Sequence, residues 1–373
     1  MRSLAVQSLS IRGFRNIERV DVEPGPHFNV VYGDNGQGKT NLLEAVYVLA
    51  TSRSFRTARL PELVMAGGET ASLRAVVVEE HEAREQTIGL RRGLRAVRID
   101  GKRPPTLAEY ALRTPVVVFH AGALALSSGA GAERRKLLDR ISLYTSPVTL
   151  AEAESYAKAV RARQRVLDTR GENAADLDGW EELMVRHGTA MSLARRRTAL
   201  RLAPFVHAAF SRIGPPGVAL TLLFKGGAPE DPSAFREELR RRRAQDRARR
   251  AATVGPHRDD LLVSLGGMPM RGIASQGQHR AAVLALELAE IEIVTEARGV
   301  GPVLLLDDVS SELDRERTAA LLQALREQRG QVFLTTTRPE LLDTEVVHGA
   351  AGKLLGATGQ VRFEVRSGQI LRM

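Results

Sequence analysis

A glycine-rich segment near the N-terminus has the composition of a phosphate-binding loop. It fits the spacing Gly-x-x-x-x-Gly-Lys-Ser/Thr, in which glycines let backbone amides turn toward phosphate oxygens. Lys39 would supply a positive charge to the β and γ phosphates, and Thr40 would ligate magnesium. The alternative is a chance glycine-rich turn, and the spacing favours a nucleotide site. The residues of the loop, in order, are Gly33, Asp34, Asn35, Gly36, Gln37, Gly38, Lys39 and Thr40.

An apolar run that ends in two acids lies far along the chain, from Val303 to Asp308. Such a run predicts a buried parallel strand that delivers carboxylates to the carboxyl edge of a sheet, where ligands bind in α/β folds. Asp307 is placed to hold magnesium through water, and Asp308 to polarise an attacking water. A strand ending in aspartate often marks only a turn or a helix cap. The phosphate loop in the same chain is what favours a role for Asp307 and Asp308 in a nucleotide site.

A third segment, Ser275-Gln276-Gly277-Gln278, stands directly before a predicted helix that runs to Ala297. Ser275 can cap that helix, and Gly277 allows a close backbone approach. A plain N-cap is the alternative interpretation. A Ser-x-Gly-x helix start shortly before an apolar-Asp-Asp strand, in a chain with a phosphate loop, resembles the signature motif of ABC-type ATPases.

The elements that must position these motifs follow from hydrophobic periodicity. The phosphate loop lies between a predicted strand, 28–32, and a predicted helix, 39–50, and the N-terminal dipole of that helix favours anions. From Glu133 to Phe210 strand patterns give way to helical spacing. The sequence therefore predicts an α/β domain, in parts 1–113 and 246–373, split by a mostly helical insertion at 114–245. Other predicted strands are 4–11, 18–22, 73–79, 86–90, 97–100, 218–224, 261–265, 303–306 and 331–336, and other predicted helices are 278–297 and 315–328.

The composition limits the chemistry of this 373-residue chain. There are no cysteines, which excludes thiol nucleophiles, disulfides and cysteine metal sites and fits a reducing cytoplasm. The longest apolar stretch falls short of the 18 or more residues of a membrane span. The net charge of +10 favours a polyanionic partner such as nucleic acid, although only six of the 54 basic residues are lysine, and a GC-rich genome also inflates arginine.

Two basic segments allow two interpretations each. Residues 236–250 hold eight arginines against three acids, and Arg195 to Arg197 form a second cluster. They are either solvated helix faces or contacts to DNA phosphates. Similarly, His257 in the segment Gly255 to Asp260 is either a structural residue or a catalytic one.

An ordered set of motifs resembles the RecF family, bacterial DNA replication and repair proteins of the SMC/ABC-type ATPase superfamily. The phosphate loop alone indicates only the superfamily, whereas the ordered set, with a short helical insertion in place of a long coiled coil, is specific to RecF. The motifs are Phe14-Arg15-Asn16-Ile17, the phosphate loop, Ser52 to Arg56, the arginine pair Arg134-Arg135, Gly255 to Asp260, Ser275 to Gln278, and Leu304 to Asp314.

The resemblance implies an ABC-type P-loop ATPase head, a mixed β-sheet with flanking helices, and an inserted helical lobe. It implies ATP and Mg²⁺ as cofactors and a homodimer that closes head to tail around two nucleotides. An isolated subunit would then leave the helix start at Ser275 without an anion to satisfy it. The implied roles are ATP binding for Gly33 to Thr40; contact with the partner subunit's ATP for Ser275, Gln276, Gly277 and Gln278; metal binding for Thr40 and Asp307; catalysis for Lys39 and Asp308; and a D-loop role for Asp314.

By the same resemblance, the chain is a cytoplasmic, weak DNA-dependent ATPase that dimerises on gapped DNA and assists recombinase loading with RecR and RecO. That role belongs to DNA repair, replication and the SOS response. Three departures stand out: His120-Ala121 where the family usually has Pro-Glu, Gly131 where it has proline, and Thr335-Thr336-Thr337 where ABC transporters carry a switch histidine. The first removes an acid and favours slow hydrolysis. The alternatives are an ATP-gated DNA clamp with negligible hydrolysis and another ABC-type ATPase, for example in phage defence.

Overall fold

The computed structural model describes residues 3–91, 93–147, 149–308, 325, 330–337, 339 and 360–373. Its strands are β1 (Leu4–Phe14), β2 (Ile17–Val22), β3 (Phe28–Tyr32), β4 (Thr70–Glu79), β5 (Glu82–Arg91), β6 (Leu94–Ile99), β7 (Val116–Phe119), β8 (Leu220–Lys225), β9 (Asp260–Leu265), β10 (Met268–Pro269), β11 (Val303–Leu306), β12 (Val332–Thr336), β13 (Gln360–Arg366) and β14 (Gln369–Arg372). Its α-helices are α1 (Lys39–Thr51), α2 (Leu107–Arg113), α3 (Ala125–Ser128), α4 (Gly131–Thr145), α5 (Thr149–Arg170), α6 (Leu177–Ile213), α7 (Pro232–Arg241), α8 (Arg243–Arg249) and α9 (Gln276–Arg298).

Contacts within the chain divide it into two compact units. One comprises Met1–Ala123 and Leu284–Met373, and the other comprises Leu124–Val283. The second unit is thus inserted into the sequence of the first. Its bounds differ from the predicted insertion at 114–245. Strands β9 and β10 belong to the second unit, where β9 pairs with β8, whereas the prediction assigned residues 246–373 to the first.

The first unit contains two sheets. Five antiparallel strands run in the order β2-β1-β4-β5-β6, and six strands run in the order β14-β13-β3-β12-β11-β7. In the six-stranded sheet, all neighbours pair in parallel except β14, which pairs antiparallel with β13. The residues of β7 and β11 are all buried, which explains why these strands read as continuous apolar runs. This sheet brings the ends of β3, β7, β11 and β12 to one edge.

Helix α1 is the central helix of the first unit. Its residues from Leu42 to Ala50 are all buried, so it has no solvated face. Because no side of α1 between these residues faces solvent, other elements must cover it on every side. Accordingly, α1 contacts β1, β4 and β5 of one sheet and β7, β11 and β12 of the other. This position fixes the phosphate loop, which connects β3 to α1, between the two sheets.

The second unit is mostly helical. The long helices α5 and α6 pack against each other, and α6 also packs against β8 of the sheet ordered β10-β9-β8. Its apolar core includes Tyr156, Met184 and Phe235. The fully buried Arg163 is paired with Glu181 and Asp246 at 2.9 and 2.7 Å, so its charge is compensated.

Most predicted elements are confirmed. The strands predicted at 28–32 and 303–306 have those bounds as β3 and β11, and the helix predicted at 39–50 extends one residue further as α1. The helical block between Glu133 and Phe210 corresponds to α4, α5 and α6. The helix predicted at 315–328 lies outside the described residues. Within the described part of the chain, no helix is long and apolar enough to cross a membrane.

Candidate nucleotide-binding site

The phosphate loop adopts a backbone that requires its glycines. Gly33, Gly36 and Gly38 have φ values of 146°, 79° and 117°, a region that side chains rarely adopt. Gly38 is also the N-cap of α1, and no side chain caps the helix there. The first amides of α1 are therefore left for another acceptor, and an anion is the acceptor that a helix N-terminus favours.

The Lys39 side chain folds back over this loop. Its Nζ donates to the carbonyl oxygens of Gly33 and Asp34 at 2.7 and 2.8 Å. Burial lowers the pKa of Lys39, while the charges of Asp308, Asp307 and Asp34 act in the opposite direction. The ammonium group is thus held where the predicted catalytic acid Asp308 and the predicted metal ligand Asp307 both favour its charged form. An additional anion at this position would stabilise its charged form.

Thr40 and Asp307 face each other at the start of α1. The Thr40 hydroxyl donates to Asp307 Oδ1 at 2.8 Å. Burial raises the pKa of Asp307, and the hydrogen bonds from Thr40 and Thr335 only partly offset this. A partly buried carboxylate beside a hydroxyl offers the oxygen ligands that Mg²⁺ prefers, and a cation would relieve the cost of its desolvated charge. Among the described residues, no group of three or more His, Asp or Glu could hold a metal.

Thr335, at the end of β12, connects the two acids. Its hydroxyl donates to Asp307 Oδ1 at 3.0 Å and accepts from the Asp308 amide at 2.9 Å. Asp308 has φ of 51°, so the chain turns sharply directly after Asp307. Sequence reasoning noted Thr335 only as a departure from transporters and missed this role. The available signal was a pair of threonines at the end of a buried strand that is otherwise apolar.

His120 follows β7 and lies beside Asp307 in the sheet. Phe119 pairs with Leu306, and the Asp307 amide donates to the Phe119 carbonyl at 2.8 Å. The His120 ring packs at a tilt against Phe55, with 5.1 Å between ring centroids, and its Nδ1 accepts from the Gly122 amide at 3.1 Å. An imidazole is thus held in place at the first position of the His120-Ala121 pair, where the family usually has proline.

A buried acid on α1 holds two arginines beside the site. Glu44 is fully buried and accepts from Arg15 at 2.7 and 2.9 Å and from Arg56 at 3.1 Å. Arg56 also donates to Asn41 at 2.7 Å, and its charge lowers the pKa of Asp307. Apart from the family resemblance, no pattern in the sequence pointed to these residues. The structure places a cation within electrostatic range of the predicted metal ligand.

The predicted signature segment lies in the other compact unit. The Ser275 amide donates to Gln278 Oε1 at 2.8 Å, and the Gln278 amide donates to Ser275 Oγ at 3.3 Å. This reciprocal pair is a capping box. Ser275 thus caps its helix, as the plain N-cap interpretation expects, and the Gln278 amide has an acceptor without an anion. Ser275 and Gln276 are exposed, and Gly277 and Gln278 are partly exposed. The D-loop residue Asp314 lies outside the described residues.

Residues 5–350 match the family model described as the RecF/RecN/SMC N terminal domain. The DNA replication and repair protein RecF of Myxococcus xanthus is 38% identical, with 99% of this chain and 97% of that protein covered. RecF of a Geobacter species is 36% identical, with 93% and 98% covered. A structure titled as the recombination mediator protein RecF-ATPrS in the RecFOR pathway has a TM-score of 0.85 and 26% identity, covering 100% of this chain and 98% of that one.

A Pyrococcus furiosus Smc head domain has the same fold, with a TM-score of 0.53 and 17% identity over 100% of this chain and 96% of that one. The sheets, the phosphate loop and these matches define the class as an ABC-type ATPase head of the RecF/RecN/SMC family, and the predicted fold class is confirmed. Within that class, the chain belongs to the RecF family of DNA replication and repair proteins.

Proposed function

We propose that the chain binds ATP with Mg²⁺, dimerises around it on DNA, and hydrolyses it slowly. The observation that carries this proposal is the convergence of Lys39, Thr40 and Asp307 on one uncapped helix start. A solved structure of similar fold is titled RecF-ATP, with a TM-score of 0.84 and 26% identity. ATP is thus the nucleotide that the site is proposed to take.

The phosphates of ATP would lie over the loop from Gly33 to Thr40, against its amides and the start of α1. Lys39 would exchange its two carbonyl acceptors for phosphate oxygens, which stabilise its charge better than neutral carbonyls do. Thr40 and Asp307 would hold Mg²⁺, which neutralises developing charge on the phosphates when bound. Asp308 would orient and polarise the attacking water, and Arg56 would add positive charge at the same edge.

The capping box at Ser275 and Gln278 would form the second half of a nucleotide site shared by two subunits. Ser275, Gln276, Gly277 and Gln278 would contact the nucleotide of a partner subunit, with Asp314 nearby in the sequence motif after the strand. Because Gln278 and Ser275 already cap their helix, a partner's phosphate would compete with an internal bond rather than fill an unsatisfied site. This competition, together with His120-Ala121 in place of the family's Pro-Glu, supports weak turnover. A clamp with negligible hydrolysis remains the second candidate function.

The proposed cellular role is assistance of recombinase loading at gapped DNA, with RecR-like and RecO-like partners. Its support is the naming of the relatives as DNA replication and repair proteins and of the neighbour as a mediator in the RecFOR pathway. The net charge of +10 suits a DNA partner.

Ser275→Arg tests the composite site. A long cation at the helix start would block a phosphate contact without touching the subunit's own loop, so the variant should bind ATP as a monomer. Light scattering with ATP and gapped DNA measures the dimer, and Met268→Arg, an exposed position on β10, is the matched control. A Ser275→Arg protein that still dimerises with ATP would refute the composite site. Normal dimerisation combined with undetectable single-turnover hydrolysis in the wild type would favour the clamp.

A further inference from the structure

The turn between the last two strands contacts the phosphate loop directly. Strands β13 and β14 are joined by Ser367 and Gly368, since Arg366 pairs with Gln369. Both turn residues have positive φ, 47° and 80°, as in a two-residue type I′ hairpin. In such a turn the two central amides are not needed by the hairpin ladder. They are available to donate elsewhere.

Both amides donate to one residue of the loop, Gln37. The Ser367 amide donates to Gln37 Oε1 at 2.6 Å, and the Gly368 amide donates to the Gln37 carbonyl at 2.9 Å. The Ser367 hydroxyl also reaches Oε1, at 3.3 Å. A further donor, Asn16 Nδ2, reaches the Gln37 carbonyl at 3.0 Å. The carbonyl of Gln37 therefore has two donors that hold it toward the hairpin.

The orientation of that carbonyl determines the orientation of the next amide. In a trans peptide, the carbonyl of Gln37 and the amide of Gly38 point in opposite directions. Fixing the carbonyl toward the hairpin therefore aims the Gly38 amide away from it, which is the direction a phosphate-cradling amide must take. A loop whose amide is already aimed does not have to be ordered when a phosphate binds.

Glycines make this contact close at three places. A Cβ on Gly368 would overlap the Asn16 carbonyl oxygen, and one on Gly33 would overlap the Val365 carbonyl oxygen of β13. A Cβ on Gly38 would lie 2.8 Å from the Asn16 side chain. The hairpin, the corner at Asn16 and the loop are thus in backbone contact, and a displacement of one moves the others.

We propose that the Ser367-Gly368 turn, with Asn16, is a brace that preorganises the phosphate loop and so sets its affinity for ATP. The inference rests on the proposed nucleotide site and adds Asn16, Ser367 and Gly368 as positioning residues. Apparent affinity falls by the fraction of molecules whose loop is competent to bind. A brace that holds the competent state therefore acts on ATP affinity more than on the rate at saturation.

Gly368→Ala and Gly368→Asn test the brace. Both introduce the Cβ that overlaps Asn16, but asparagine tolerates positive φ better than alanine does. The matched control is Gly101→Ala, in the Asp100-Gly101 turn after β6. That turn also has positive φ at both central residues, 49° and 74°, and nothing lies within 4 Å of an added Cβ. The control therefore reproduces the backbone strain without the contact.

The measurements are the Kd for ATP with Mg²⁺ by calorimetry, the KM and kcat of hydrolysis, and the Tm. We expect both Gly368 variants to raise the Kd and the KM for ATP by about tenfold, which corresponds to a fall of the binding-competent fraction of molecules to roughly one tenth. The fall in kcat should be smaller. Gly101→Ala, which adds backbone strain alone, should lower the Tm while leaving Kd unchanged, and Gly368→Ala should lower the Tm further because its Cβ also overlaps Asn16. A Kd for both Gly368 variants within twofold of that of Gly101→Ala would overturn the brace.

Asn16→Ala decides the question if a Gly368 variant fails to fold. It removes the Nδ2 donor to the Gln37 carbonyl and leaves the residues of the hairpin and of the phosphate loop unchanged, so the brace requires that Kd rise. An unchanged Kd for Asn16→Ala would then overturn the proposal. Lys39→Ala distinguishes failure of the brace from failure of the nucleotide site. If Lys39→Ala leaves the affinity for ATP unchanged, the proposed function itself is refuted.

Discussion

Replacing Thr335 by valine removes the hydroxyl that joins the two acids while preserving the shape of the side chain. Thr335 is fully buried, so water cannot replace the hydroxyl. The Asp308 amide loses its acceptor, which costs about 1–3 kcal/mol for a buried unsatisfied donor. The Asp307 carboxylate loses one charge-assisted bond, for about 1.5–3 kcal/mol more. Since Thr40 still donates to Asp307 and the site can relax, we expect unfolding free energy to fall by about 2–4 kcal/mol.

The loss should depend on pH in a defined direction. The Thr335 bond lowers the pKa of Asp307 against the larger effect of burial, so its removal raises that pKa further. The bond stabilises the ionised carboxylate, and its contribution is therefore fully present only above the folded-state pKa, which lies above the ordinary 3.8. As the pH falls through that pKa, Asp307 is protonated in both proteins. The difference between them then shrinks to the part due to the Asp308 amide.

Urea unfolding at neutral and at acid pH measures the loss of unfolding free energy in Thr335→Val and the dependence of that loss on pH. The matched control is Thr145→Val, because the Thr145 hydroxyl bonds only a carbonyl of its own helix, at Ile141, and its loss has little effect. The same Thr335→Val protein should hydrolyse ATP more slowly, since Asp307 and Asp308 lose their common support. A destabilisation no larger than that of Thr145→Val, at either pH, would show that the hydroxyl does not connect the acids.

Three further outcomes are expected. Lys39→Ala should abolish tight ATP binding while leaving the Tm near that of the wild type, measured by calorimetry and thermal unfolding; micromolar affinity in the variant would contradict the assigned site. Asp308→Asn should preserve ATP binding, slow single-turnover hydrolysis and trap the dimer, and an unchanged rate would mean that another group positions the water. DNA affinity should fall steeply with salt, with a slope of log K against log salt of roughly −5 for about six phosphate contacts on duplex DNA; a slope near zero would mean that the positive charge reflects composition alone.

Local features of the site were predictable from the sequence, because each depends on adjacent residues. The glycine spacing identified the loop, and the apolar run before Asp307 identified its strand. The capping box was also visible in the Ser275-x-x-Gln278 pattern, although only its serine was recognised. These signals involve few residues at fixed spacing, and the local backbone determines where they lie.

The contacts that tie the site together were not predictable, because they join residues far apart in sequence. Thr335 reaches Asp307 only because β12 is placed beside β11, and no local pattern sets that order. Arg15, Glu44 and Arg56 come from a strand corner, a helix and a loop. The domain boundary between β8 and β9 was also placed wrongly relative to the compact units. The pattern of β9 is the same whether it pairs with β8 or joins a larger sheet.

The strand order of the six-stranded sheet has a consequence for how the protein is made. On the ribosome β3 emerges early, yet both of its neighbours in the sheet, β12 and β13, emerge near the end. The five strands of the other sheet are complete by Ile99, and the unit Leu124–Val283 is continuous, so both can fold while synthesis proceeds. Helix α1 is buried on every side in the folded unit, and the six-stranded sheet that covers one side of it is incomplete until β12 and β13 emerge. The nascent chain therefore exposes apolar residues of α1 until the last strands are translated, and chaperones should bind the chain during this interval.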